Sequence, residues 1–194
     1  RAGFASRMKD YAFYAIAPEA APLVEKHVAW LGGWPALDAE KDLTLDGTIE
    51  VAGLKGTITV RLRSDGRQRL DFDLKVMSGT EALDGDDAWA RNPSGQLEDL
   101  GQEKVAMARR NLDRAFSRHL RGEGVAVTRL PDETKDGRAW AVLRFTYPDG
   151  DLYDVLVDAA TGESVWSRET SDGRVTWSRS LDLRVVDGRR LAYR

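Results

Sequence analysis

The stretch that decides the fold runs Leu43-Thr44-Leu45-Asp46-Gly47-Thr48-Ile49-Glu50-Val51, turns at Ala52-Gly53, and continues Leu54-Lys55-Gly56-Thr57-Ile58-Thr59-Val60-Arg61-Leu62-Arg63. It turns again at Ser64-Asp65-Gly66 and ends Arg69-Leu70-Asp71-Phe72-Asp73-Leu74-Lys75-Val76. Apolar and polar side chains alternate with a period of two, which gives three strands, each with one apolar and one wet face. The connections are short and polar, so the strands form an antiparallel meander; parallel neighbours would need a long crossover. Thr80–Leu83 and Asp87–Arg91 predict a further hairpin around Asp84-Gly85-Asp86.

Toward the N-terminus the period changes to that of a helix. Leu23, Val24, His27, Val28 and Leu31 recur at three- and four-residue steps between Pro18 and Leu31, and Gly32-Gly33 supplies the stop. Trp34-Pro35 opens a short second helix to about Lys41. Before these, Phe4, Met8, Tyr11 and Ala15 would share one face of a helix that packs on its own domain. The sequence opens with Arg1 rather than Met, which is the expectation for a processed or trimmed chain, and a signal peptide, if the gene encodes one, is not in view.

Toward the C-terminus, Glu98 to Leu120 reads as an amphipathic helix, with Val105, Ala108, Leu112, Ala115, Phe116, His119 and Leu120 on one face and Lys104, Arg109, Arg110 and Arg114 among those opposite. Strands resume at about 125–130, 138–147, 151–158, 163–170, 174–186 and from 189. They are punctuated by Asp136-Gly137, Asp149-Gly150, Thr161-Gly162, Asp172-Gly173 and Asp187-Gly188. The expected architecture is mainly β with helices (α+β). It consists of about ten or eleven antiparallel strands in one large curved sheet or incomplete barrel, with helices against the concave side. The expected organisation is a single domain, 1–194, in which a helical segment 1–21 precedes the body at 22–194.

Composition narrows the function. Of 194 residues, 29 are Lys or Arg and 32 are Asp or Glu, giving a net charge of −3, which does not suit a nucleic-acid-binding module. The absence of Cys removes thiol catalysis, Cys-ligated zinc and iron–sulfur clusters. No apolar run is long enough to span a bilayer as a helix.

Catalytic signals are poor. His27 and His119 sit on apolar helix faces and read as core histidines. No serine stands in a nucleophile-elbow context. Asp71 and Asp73 share a wet strand face with Arg69 and Lys75 close by, the pattern of a charge ladder rather than an acid–base pair. Asp84-Gly85-Asp86-Asp87 lacks a Ca²⁺-loop spacing. Neither a cofactor nor a metal is implied, and the chain is not expected to be an enzyme.

Three motifs in order carry a resemblance. They are Leu31-Gly32-Gly33-Trp34-Pro35-Ala36-Leu37 followed by Asp46-Gly47-Thr48, then Ala82-Leu83-Asp84-Gly85-Asp86-Asp87-Ala88-Trp89, and then Val157-Asp158-Ala159-Ala160-Thr161-Gly162. Together, over about residues 22–190, they resemble the LolA/LolB-like superfamily of periplasmic lipoprotein carrier-like proteins. The resemblance implies a half-open barrel with a hydrophobic cavity, a cell-envelope or periplasmic location, and a lipid or acylated protein as ligand. Another envelope protein is a further possible partner, because similar domains also serve as sensing or interaction modules.

If such a cavity exists, Ile49, Ile58, Val60, Leu62, Leu70, Phe72 and Leu74 supply one wall. Phe145, Val155, Val157, Val165 and Trp177 supply the other, and Leu112, Phe116 and Leu120 form a helical lid. Alternation cannot separate a lined cavity from a solid core, so both readings stay open. Trp140 and Trp166 fall on strand faces that read as exposed. They form a partner-binding patch, a rim at the cavity mouth, or a surface covered by the N-terminal segment, and covering is the preferred reading.

Overall fold

The computed structural model describes residues 15–193. They form three α-helices and thirteen strands in three open antiparallel sheets; none of these closes into a barrel. The chain divides into two compact units. One is Asp38–Phe116; the other runs from the N-terminal side through Leu37 and resumes at Ser117. The expected helix at 1–14 lies outside the described residues.

In the flanking unit, helix α1 (Ala21–Leu31) buries Leu23, Val24, His27 and Val28, the face read from the sequence. It starts at Ala21 rather than Pro18, with a proline in its first turn, where the missing N–H costs nothing. Gly32 ends it at a φ of +127°. A short helix, α2 (Trp34–Ala39), follows.

The five-stranded sheet of this unit comprises β7 (Ala126–Lys135), β8 (Arg138–Thr146), β9 (Leu152–Val157), β10 (Ser164–Ser171) and β11 (Arg174–Arg179), ordered β11-β10-β9-β8-β7. A separate hairpin joins β12 (Leu183–Val186) to β13 (Arg189–Ala192). The sequence reads 174–186 as a single strand; the structure breaks it at Ser180–Asp182, where Asp182 takes a φ of +50° that no strand residue can hold.

The Leu31-Gly32-Gly33 and Asp158–Gly162 motifs are close-approach sites. A Cβ on Gly162 would lie 2.2 Å from the Lys26 carbonyl oxygen, and one on Gly32 would lie 2.1 Å from that of Gly188. Gly162 thus lets the β9–β10 turn seat on α1, where the Lys26 ammonium donates to the Ala159 carbonyl and His27 Nδ1 lies 2.9 Å from the Gly162 carbonyl oxygen. Gly32 lets the β12–β13 hairpin reach the C-terminus of α1, where Arg190 donates to the Trp30 carbonyl and stacks over its indole.

In the Asp38–Phe116 unit, six strands form a meander: β1 (Asp42–Val51), β2 (Leu54–Arg63), β3 (Gln68–Asp73), β4 (Ser78–Asp84), β5 (Asp87–Arg91) and β6 (Leu97–Asp99). Ten consecutive register pairs join β1 to β2, from Asp42 opposite Arg63 to Val51 opposite Leu54. Helix α3 (Gly101–Ala115) packs on this sheet through Val105, Ala108 and Leu112. Its Arg109 reaches the Gly85 carbonyl and the Asp86 carboxylate, which ties the helix to the β4–β5 turn.

The sequence carries this helix on to Leu120, but the structure stops it at Ala115. Ser117 adopts a φ of +59°, which no α-helix can continue, and Arg118–Arg121 form a separate 3-10 turn in the other unit. The strand β6 is a further correction to the expected count; with three exposed residues it has no alternation to detect.

Candidate functional site

Register places Leu43, Leu62 and Leu83 with Ala88 on the apolar face of the six-stranded sheet, and one row further along Leu45, Val60 and Leu70. Ile58 and Phe72 make the next row, and Ile49 lies beyond it. Helix α3 covers the first of these rows: Leu62, Leu83 and Ala88 are buried with Val105, Leu112 and Phe116, and Leu43 and Val60 pack at the margin. Past that margin the face opens. Ile49, Ile58, Leu70 and Phe72 are half-buried, and Leu45 is 44% exposed.

Small residues make this strip shallow. The ring of Phe72 lies over Gly79, where a Cβ would come within 2.7 Å of it. Leu74 follows β3 and is buried, with its N–H on the Met77 carbonyl. Of the expected first wall, then, Ile49, Ile58, Val60, Leu70 and Phe72 share one partly open apolar strip, while Leu62 belongs to the core under α3.

The residues assigned to the opposite wall do not stand together. Phe145, Val155 and Val157 are buried on one face of the five-stranded sheet with Leu23, Val24 and Val28 of α1. Val165 and Trp177 lie with the other face: Val165 sits at the irregularity between Ser164 and Trp166 and packs with Trp140, Val142 and Leu156, and Trp177 stands opposite Arg168. The three lid residues also separate. Leu112 and Phe116 belong to the core of the Asp38–Phe116 unit, and Leu120 to the core under α1.

Sequence reading missed what covers the second face of the five-stranded sheet. Adjacent strands lie about 4.8 Å apart, so β7 and β10 would be roughly 14 Å apart in a flat sheet. Yet Glu133 of β7 meets Arg168 of β10 at 3.2 Å, and the Lys135 ammonium lies 4.4 Å from the Trp166 ring and 4.0 Å from the Trp177 ring. The register of β7 and β8 shifts between Leu130 and Glu133, at Pro131-Asp132. That bulge folds the tip of the hairpin over the sheet.

Beneath it Trp140 is buried, its indole N–H directed at the Lys135 carbonyl, and Asp154 is 1% exposed. Arg144 and Arg168 each donate two hydrogen bonds to the Asp154 carboxylate, and Arg168 also donates to Glu133. Burial raises the Asp154 pKa, and these bonds outweigh it, so the carboxyl titrates below its ordinary range. Asp154 interrupts the apolar run Val155-Leu156-Val157 on its N-terminal side, and that was the one available signal. Trp140 is therefore covered by its own hairpin; Trp166 is half-buried, and Trp177 remains 36% exposed.

The acid–base candidates resolve as structural groups. Asp71 accepts hydrogen bonds from Arg69, Arg61 and Thr80, which hold its carboxyl at about 2. Asp71 lines a pocket of about 350 Å³ with Phe72, Ser78, Thr80, Arg91 and Asn92. Asp73 accepts the Lys75 N–H. Burial pushes the pKa of His27 down, favouring the neutral ring. His119 is buried edge-on against Phe145. Among the described residues no cluster of three metal-ligating side chains occurs, and no helix is long and apolar enough to cross a membrane.

No family model and no curated protein matches the sequence. Solved structures match the fold. A domain assigned to outer membrane lipoprotein sorting in Vibrio parahaemolyticus superposes with a TM-score of 0.54 at 15% identity, covering 89% of this chain and 82% of that one. A DUF1329 family protein from Desulfovibrio piger gives 0.55 at 12%, over 88% and 82%. A LolA superfamily protein from Nitrosomonas europaea gives 0.50 at 13%, over 89% and 80%. The chain has a LolA-like fold.

Proposed function

We propose that this chain is a non-enzymatic binding domain of the cell envelope or periplasm that takes up a lipid, or the acyl part of a lipoprotein, on the open end of its six-stranded sheet. The observation that carries this reading is the apolar strip of Leu45, Ile49, Ile58, Leu70 and Phe72, which α3 leaves partly exposed. Its likeness in fold to a lipoprotein-sorting domain supports the choice of ligand. An acyl chain laid on such a strip gains up to about 0.8 kcal/mol per methylene it fully buries. A chain left half in water gains less, which suits a carrier that must also release its cargo.

The expected second wall is not part of this ligand surface. Phe145, Val155 and Val157 are spent on a solid core under α1, so the ligand surface we propose is carried by β1, β2 and β3.

Native mass spectrometry of the purified chain, followed by solvent extraction, tests the reading. The expected result is a co-purifying acylated species that is absent from Phe72→Asp and from Leu45→Glu. Both positions are partly exposed, so both variants are expected to fold. An apo mass that takes up neither phospholipid nor acylated peptide overturns the proposal.

A further inference from the structure

Strand β11 ends the five-stranded sheet, and all six of its residues are exposed. Which of its backbone groups face outward follows from the register. Trp166 stands opposite Arg179 and Ser171 opposite Arg174, and the Ser180 N–H donates to the Val165 carbonyl along the same line of pairs. Hydrogen-bonded and non-bonded pairs alternate in an antiparallel ladder. The bonded pairs are therefore Ser178 with Ser167, Thr176 with Glu169 and Arg174 with Ser171. The two-residue turn at Asp172-Gly173, with both φ values positive, closes on the last of these, as a tight hairpin requires. Val175, Trp177 and Arg179 thus direct their N–H and C=O groups away from the sheet, and among the described residues nothing pairs with them.

The side chains of the same three residues share one face, and that face is cationic and aromatic. Trp177 meets Trp166 edge to face at 6.3 Å, and the Lys135 ammonium rests on both rings. Arg179 lies 5.1 Å from the Trp166 ring and comes no nearer than 3.9 Å to a carboxylate, that of Asp136. Neither Lys135 nor Arg174 has a carboxylate partner among the described residues, and Val175 is 55% exposed. The other side of the same sheet differs: the outer edge of β7 is met at Val127 by residues 15–17 of the chain itself.

We propose that the β11 edge is a docking site for an extended acidic segment of another protein, which adds a sixth strand to this sheet. Its backbone pairs with Val175, Trp177 and Arg179, and its carboxylates lie against Lys135 and Arg179. Main-chain pairing supplies affinity without sequence preference, and the cations select for acid. Exposed edges are commonly blunted by charge against such pairing. Here both charges on the strand itself, Arg174 and Arg179, are cationic, and Asp136 matches only Arg179, at 3.9 Å, so the edge rejects basic strands and admits acidic ones. The site is distinct from the acyl-binding strip, and either can fail without the other.

The test uses an acetylated, amidated peptide of seven residues, with threonine at every odd position and glutamate, glutamate and valine between them. Titrated into ¹⁵N-labelled protein at low salt, it is expected to shift the Val175, Trp177 and Arg179 amides and to slow their hydrogen exchange. Three changes are expected to weaken it at least tenfold: N-methylation of the glutamates and valine, lysine in place of glutamate, and Val175→Pro, which deletes one outward N–H. The methylated peptide leaves the protein untouched, so it decides the matter if V175P folds poorly. The proposal is overturned if these amides do not move at millimolar peptide, or if N-methylation leaves binding unchanged.

Discussion

The two large sheets start from the same sequence pattern and end in different states. Leu143, Phe145 and Leu156 of the five-stranded sheet are fully buried, because α1 seals one face and a folded-over hairpin tip covers the other. Among the described residues, helix α3 packs on the apolar face of the six-stranded sheet and covers one end of it. Alternation requires that an apolar face exist; it does not say how much of the face is covered. Coverage depends on the length of α3 and on the kink at Pro131-Asp132, and neither is visible as a period.

The largest effect that would sharpen this comparison comes from truncating the two phenylalanines. Phe145→Ala should cost about 3–5 kcal/mol, the range for an aromatic removed from a closed core. Phe72→Ala should cost less, about 1–2 kcal/mol, because Phe72 is only partly buried. Equal losses in urea denaturation would erase the distinction between a filled and an open sheet.

Next comes Asp154→Ala, which leaves Arg144 and Arg168 facing each other beneath the hairpin tip. Breaking a buried pair from one side costs about 3 kcal/mol. Trp fluorescence should report loss of the aromatic cluster with it, whereas an unaltered spectrum would show that the tip is held by something else.

A smaller effect is pH-dependent. The Asp71 carboxyl titrates at about 2 in the folded chain, below its ordinary value near 4. A depressed folded pKa contributes stability that is complete above the unfolded value and is lost as pH falls through the folded one. Asp71→Asn should therefore remove that share of the acid sensitivity between about pH 4 and 2, seen as a flatter melting temperature against pH. The smallest effect is expected of Leu45→Glu: a stability change within about 0.5 kcal/mol, together with loss of acyl-chain uptake.

The meander was legible because its strands alternate cleanly and its turns are short. The helix face of α1 was legible down to His27, and the Gly32 and Gly162 motifs were recognisable before their physical cause, which is backbone packed within reach of a Cβ, was visible. The apolar strip of the candidate site was legible in part. Ile49, Ile58, Val60, Leu70 and Phe72 do share a face. Phe145 and Trp177 do not, because their parity in β8 and β11 puts them on opposite sides of one sheet once the register is known. Their relation is set by the register of three successive hairpins, with an irregularity between Ser164 and Trp166, and alternation within one strand does not encode it. The Ser117 break escaped notice for a related reason: a serine in the left-handed region carries no composition signal.

The central claim is that acyl chains bind the six-stranded sheet and not the five-stranded one. Photo-crosslinking with a diazirine-bearing fatty acid, followed by peptide mapping, tests it most directly. The account predicts adducts within 45–72, on the apolar rows of β1, β2 and β3. Adducts concentrated on β8 or β9, or none above background at saturating lipid, would contradict it.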